Sequence, residues 1–161
     1  MNTQHNQSTW QEKLQKATAL LEEILRENPV VYRSNKEIIF NTSDSAIKFC
    51  SAKIGFSERE EFLVIFLDNK HCLIKAEIMF QGSINTTSVY PREIIKRGLQ
   101  LNAAAAILSH NHPSGDVTPS QSDQLITQKI KQACELVDIR IIDHIVVAPN
   151  DHYSFLEQSD M

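Results

Sequence analysis

The apolar positions of this chain fall into blocks whose period changes from helical to strand-like, and the changes mark the elements. Residues 1–8 are polar and read as a frayed start. Trp10, Leu14, Ala17, Leu20, Leu21, Ile24 and Leu25 then recur at helical spacing. Thr9 and Glu12 form a capping-box pattern ahead of them, and Asn28-Pro29 is the stop. This spacing predicts an amphipathic helix whose apolar face is covered, by its own domain or by a dimer partner. Val30-Val31-Tyr32 and Ile38-Ile39-Phe40 read as short strands about the turn-like Ser34-Asn35. Ala46, Ile47, Phe49 and Cys50 place a helix over residues 43–53, with Gly55 as its stop.

From residue 57 the pattern becomes that of a sheet. The unbroken apolar run 63–67 predicts a central strand buried on both faces. Residues 68–71 supply a turn, 72–80 the returning strand of a hairpin, and 82–88 a loop. Pro91 opens a helix through residue 101 with Ile94, Ile95 and Leu99 inward. Residues 101–108 are short and apolar enough for a buried strand. A helix is expected from Pro119 to about Val137, burying Leu125, Ile126, Ile130, Ala133, Cys134 and Val137. Residues 140–147 read as another strand and 153–156 as a short closing one. The alternation predicts an α/β chain of the α+β type, a mixed sheet flanked by helices. Residues 1–38 form an amphipathic helix and connector, and 39–161 the main domain.

Composition narrows the function classes. A chain of 161 residues is long enough for one domain with a real core, and 42% hydrophobic with 22% charged residues is ordinary for a globular protein. The net charge of -4 gives no overall field for nucleic acid, so binding to it is expected to be weak or absent. The apolar runs fall short of membrane-spanning length and no signal-peptide pattern opens the chain, so no membrane partner and a cytoplasmic location are expected. Cys50, Cys72 and Cys134 are scattered and odd in number, as suits reduced, packed thiols.

The candidate chemistry lies in residues 109–123. His110 and His112, two apart at a strand end, share a face and can grip one ion. Pro113 and Gly115 turn the chain. Thr118 is the expected helix cap, with Pro119 at the first helical position and Gln121 completing a capping box. Ser120 and Asp123, three apart near that start, project from one side back towards the histidines. Two imidazoles and a carboxylate leave a tetrahedral zinc ion, one per chain, with an open position for water.

His-x-His, seven residues, Ser, two residues, Asp resembles the JAMM motif of MPN-domain metallopeptidases. The fuller string His110-Asn-His-Pro-Ser-Gly115, with Pro119-Ser120 and Asp123, is similar to the RadC branch of that family. The resemblance runs from about residue 40 to the end. It implies an MPN/JAB-like (cytidine-deaminase-like) fold and a zinc-dependent hydrolase acting on a peptide or isopeptide bond of a peptide or protein substrate. It also implies an upstream glutamate as general base. Composition leaves Glu58, Glu60, Glu61, Glu77 and Glu93 open. The RadC pattern, with a Glu two residues before the Phe that opens the first long strand, selects Glu60. By the same resemblance Ser120 donates to a forming oxyanion, beside its plainer reading as a capping hydroxyl.

Other polar residues carry weaker expectations. His144 reads as a core histidine, or by the Asp-His of the RadC pattern as a partner of a zinc ligand. Asn111 and Ser114 shape the loop, and Asn111 is also placed to contact substrate. Arg92, Lys96 and Arg97 make a small basic face, solvated or meeting a carboxylate-ended substrate. His5, His71 and His152 suggest no role. Longer RadC-like proteins carry an N-terminal helix-hairpin-helix DNA-binding segment. No matching glycine-hairpin pattern appears here, so a short form of the family is expected. The alternatives to the hydrolase are a DNA-repair-associated RadC-like factor and a non-catalytic MPN interaction module.

Overall fold

The computed structural model describes residues 15–20, 23, 32–33, 37–82 and 89–161. Two short strands, β1 (Tyr32–Arg33) and β2 (Glu37–Ile38), pair antiparallel, near but not at the expected 30–32 and 38–40. Helix α1 (Ser43–Ile54) begins where Thr42 Oγ1 accepts from Ser45 N at 3.3 Å. It ends at Gly55, whose N–H reaches Ser51 O at 2.9 Å. A Cβ on Gly55 would lie 2.6 Å from that oxygen, so the stop requires glycine for close approach.

The apolar run forms β3 (Glu61–Leu67), with every residue from Phe62 to Leu67 buried. Strand β4 (Leu73–Gln81) returns antiparallel beside it. Then follow α2 (Pro91–Gln100), β5 (Ala105–Asn111), α3 (Gln121–Glu135), β6 (Arg140–Ala148) and β7 (Asp151–Ser154). The sheet order is β4-β3-β5-β6-β7. Only the β5–β6 pair is parallel among these neighbours, because α3 carries the chain back to the starting edge between them. This is the mixed sheet flanked by helices that the patterning predicts.

Strand alternation divides the core in two. Leu63, Ile65, Leu67, Ile107 and Ile145 face α1, packing against Ala46, Ile47, Phe49, Cys50 and Ile54. Phe62, Val64, Phe66, Ala106 and Leu108 face α2 and α3 through Ile94, Ile130 and Cys134. All three cysteines are buried and outside any disulfide, and burial pushes the Cys50 thiol up to about 12 and that of Cys134 up to about 11. At neutral pH Cys50 and Cys134 are packed thiols rather than nucleophiles.

Several sequence expectations are corrected here. The strand expected at 101–108 begins at Ala105 and runs to Asn111, because Leu101 and Asn102 belong to the turn closing α2, where Asn102 takes a φ of 51°. Leu99 and Leu125, expected inward, are 52% and 56% exposed. On α2 the inward partner of Ile94 is Gly98, one turn on, which lets Phe66 and Ile139 approach the helix backbone. The closing strand is 151–154 rather than 153–156, since Leu156 N turns back to Asp143. Residues 15–20 are helical, yet Ala17 is exposed and Leu20 is 55% exposed. The Thr18 hydroxyl of this segment donates to Ala52 O at 3.0 Å. The remaining apolar positions of that helix and its Thr9 cap lie outside the described residues, as does most of the 82–88 loop. Among the described residues no helix is long and apolar enough to cross a membrane.

The division of α3 into a packed and a solvated side gives a direct test. Ile130, fully buried against the sheet, should cost about 2–5 kcal/mol as Ile130→Ala. Leu136, 87% exposed just past the helix, should change stability by no more than about 0.5 kcal/mol as Leu136→Ala. Equal losses in urea unfolding would contradict this packing.

Candidate metal centre

A carboxylate and two imidazoles hold an ion only if their lone pairs converge, and three local devices bring them together. His110 is on β5, buried, its ring stacked on Phe62 at 6.2 Å. Just past the strand, His112 is tied down by its N–H to Val147 O at 2.9 Å. Its Nδ1 donates to Asp116 O at 2.6 Å, since a carbonyl can only accept. In the neutral ring this leaves the lone pair on Nε2. Gly115 N closes the intervening turn on His112 O at 3.0 Å, and Gly115 itself sits at φ 88°, where glycine is favoured.

The third device is the start of α3. Its cap is Ser120, not Thr118: Thr118 N is already engaged by Asp116 Oδ1 at 2.9 Å, so the helix begins two residues later than expected. Asp123 N donates to Ser120 Oγ at 3.1 Å, and Asp123 Oδ2 accepts from Ser120 N at 2.7 Å. Asp123 Oδ2 also accepts from Ser120 Oγ at 2.6 Å. The capping box therefore orients the carboxylate, at the helix end where negative charge is favoured. Asp123 Oδ1 lies 3.4 Å from His110 Nε2 and Oδ2 3.6 Å from His112 Nε2, while the two Nε2 atoms are 3.0 Å apart.

These separations suit one small ion. Four ligands at zinc–ligand distances of about 2.0–2.1 Å in a tetrahedron have edges of about 3.3 Å. The 3.0 Å between the two nitrogens is close to that value, and the carboxylate offers a different oxygen to each ring, Oδ1 at 3.4 Å and Oδ2 at 3.6 Å. Three ligand atoms, one from each residue, lie within 4.8 Å of one another. The donor set and its spacing fit zinc.

Electrostatics agree. Burial pushes the Asp123 carboxyl up, but its hydrogen bonds with His110 and His112 outweigh that and hold it well below the usual carboxylate range. His112 is raised, first by its hydrogen bond with Asp123, against burial, and further by the Asp116 carbonyl and the charges of Asp123 and Glu60.

Glu60 is brought to this face. Phe62 pairs with His110 across β3 and β5, so Glu60, two residues before Phe62, lies towards His112, two beyond His110. Glu61 points elsewhere, its Oε1 accepting from Gln81 Nε2 at 2.9 Å. The Glu60 backbone is held on both sides. Gly82 N donates to Glu60 O at 3.0 Å. Asn111, wholly buried, accepts from Glu61 N at 2.8 Å and donates to Ser57 O at 3.1 Å and Arg59 O at 2.9 Å. Asn111 thus grips the Glu60 segment with its whole amide.

Comparison with known proteins follows the same boundaries. The family model described as RadC-like JAB domain matches residues 40–160. The chain belongs to the RadC-like JAB domain family. A UPF0758 protein of Haemophilus ducreyi is 53% identical over 118 residues, 73% of this chain and 53% of that protein. The UPF0758 protein NTHI1125 of Haemophilus influenzae is 55% identical over 119 residues, covering 74% and 54%. UPF0758 protein YfjY of Escherichia coli K12 is 46% identical over 149 residues, covering 92% and 88%. The chain therefore spans about half the length of the Haemophilus relatives and most of the Escherichia coli one.

Two residues outside the motif join this RadC-like centre. His144, on β6 and fully buried, puts Nε2 2.8 Å from His110 Nδ1. Thr127, also buried on α3, puts Oγ1 2.5 Å from His144 Nδ1. His144 is thus a core histidine, and its hydrogen-bond partner is His110. Thr127 was not expected; its only signal in the sequence is a hydroxyl inside the apolar stripe between Ile126 and Ile130. The basic face of α2 is largely spoken for, with Arg97 bound to Glu77 at 2.5 Å and Arg92 to Glu93 at 3.0 Å. Glu77 is held below its usual range by that hydrogen bond from Arg97.

Two outcomes follow. A raised histidine pKa stabilises the metal-free fold below about 6.5, a contribution lost as pH rises through the folded value. Zinc needs the neutral ring, so it competes with that proton, while Asp123 stays ionised throughout. Chelator-competition titrations should show affinity rising with pH beyond about 6.5, and a flat profile there would contradict the His112–Asp123 geometry. Asn111→Ala strands three backbone partners and should cost on the order of 2 kcal/mol or more. It should also speed hydrogen exchange at the Glu61 amide; unchanged protection would show the grip to be dispensable.

Proposed function

We propose that this domain is a zinc-dependent hydrolase of the JAMM type that cleaves a peptide or isopeptide bond. The observation that carries the reading is the convergence of His110, His112 and Asp123, with one ligand atom from each within 4.8 Å of the others, and Glu60 carried towards the same face. His110 Nε2, His112 Nε2 and an Asp123 oxygen would hold the ion and leave one position open. When bound, zinc supplies Lewis acidity that brings the pKa of water towards neutrality.

The chain's own residues account for the remaining roles. Glu60 accepts the proton of the attacking water and delivers it to the leaving amine, a shuttle that needs a carboxylate facing the ligands. Ser120 holds the Asp123 carboxylate in its capping box, its exposed hydroxyl donating to Asp123 Oδ2, and in the reaction that single proton would turn from the carboxylate to the oxyanion. Ser120 thus combines the capping and catalytic readings. A DNA-associated role has less support: the net charge is -4, and Arg92 and Arg97 of α2 are paired with acids. We accordingly propose a peptide or protein substrate.

Ligand and base variants separate the roles. His112→Ala and Asp123→Ala should lose zinc and turnover together. Glu60→Gln, unable to accept a proton, should keep zinc and lose turnover in a peptide-library digest read by mass spectrometry. Glu61→Gln should change little, because its side chain is engaged by Gln81. Full turnover in Glu60→Gln would end the base assignment. Failure of the wild type to take up zinc, with nanomolar binding to duplex DNA at physiological salt, would favour the DNA-associated reading instead.

A further inference from the structure

The hydrogen bonds linking His110, His144 and Thr127 can run in one direction only. We propose that His144 and Thr127 are positioning residues that fix the metal-binding tautomer of His110 and tie it to Asp123. The inference rests on the metal reading above but concerns residues outside the motif.

The direction is set at the far end. Thr127 Oγ1 lies 2.6 Å from the backbone oxygen of Asp123, one helical turn earlier. A carbonyl has no proton to give, so the hydroxyl donates there and has only lone pairs for its other partner. That partner is His144 Nδ1, at 2.5 Å, which must therefore carry a proton. His144 is wholly buried, with its ring stacked on Phe155 at 5.1 Å and meeting Phe62 edge-on at 5.5 Å. An imidazolium in that setting would be a desolvated charge, so the ring is neutral and its Nε2 is an acceptor. His110 Nδ1, at 2.8 Å, is then the donor. In the neutral ring His110 is left with its lone pair on Nε2, the atom that faces His112 and Asp123.

The metal end demands the same arrangement independently, because only an unprotonated Nε2 can bind a cation. His144 and Thr127, the two links between the ends, each give one hydrogen bond and receive one. The chain begins at one metal ligand and ends on the backbone of another, so β5, β6 and α3 are joined in a ring around the site. A neutral imidazole as the orienting acceptor has a further effect. Unlike a carboxylate in that place, it adds no negative charge beside the ion, so Asp123 remains the only anionic ligand and the Lewis acidity is preserved.

The test uses the zinc-loaded full chain with nitrogen-15-labelled histidine. Long-range proton–nitrogen spectra should show His110 and His144 each with its proton on Nδ1. A proton on His144 Nε2, or on both nitrogens, would overturn the proposal, and this measurement needs no variant. Thr127→Val keeps the shape but removes the hydroxyl. It should weaken zinc binding roughly 10- to 100-fold and disturb the His144 tautomer, with Thr127→Ser restoring both. Wild-type zinc affinity and an unaltered His144 in Thr127→Val would refute the relay alone. A wild type that takes up no zinc would refute the metal reading, and the relay with it.

Discussion

The register between β3 and β5 is the constraint on which the rest depends. A slip of one residue would turn His110 into the core under α1 and bring its neighbours to the site. Hydrophobic patterning cannot prevent that slip, because both strands are apolar on both faces and present much the same surface either way. Polar groups must choose. Asn111 does so by matching one amide to three backbone groups of residues 57–61, a fit available in a single alignment. Ser109, buried two residues earlier, binds Ile145 O at 2.7 Å and fixes β5 against its other neighbour.

The buried polar residues thus form two systems, one on each face of the sheet. On the α1 side Asp143 accepts from Ser154 Oγ at 2.7 Å and Leu156 N at 3.0 Å, fastening the C-terminal turn. Burial raises the Asp143 carboxyl, and those hydrogen bonds oppose the shift. On the other side lies the histidine system. Burial, and then the neighbouring His110, hold His144 well below the ordinary histidine range. Among the described residues no buried side-chain nitrogen or oxygen lacks a hydrogen-bond partner. A complete network in a low-dielectric core resists rearrangement, since each broken bond would leave an unsolvated group.

Much of this was legible in the sequence, and for identifiable reasons. The run from Leu63 to Leu67 admits few readings, and the motif residues are short-range partners whose geometry follows from strand alternation and the first turn of a helix. The failures lie where local signals compete. Thr118 and Ser120 both head plausible capping boxes, and the decision falls to Asp116, which binds Thr118 N first. Leu99 and Leu125 fit an apolar face by spacing, but spacing locates the middle of a face better than its margins. The partnership of Thr127 with His144 depends on α3 lying over β6, which no local pattern encodes.

The capping box at the start of α3 has one more consequence. Asp123 is at once the third helical residue, the acceptor for the Ser120 N–H and hydroxyl, and a prospective ligand. Unwinding that first turn would remove the ligand and scatter the hydroxyl beside it in the same motion. In a centre assembled this way, fraying of the helix and release of an ion would be one cooperative transition, and a bound cation would act as a clasp on the helix it sits against.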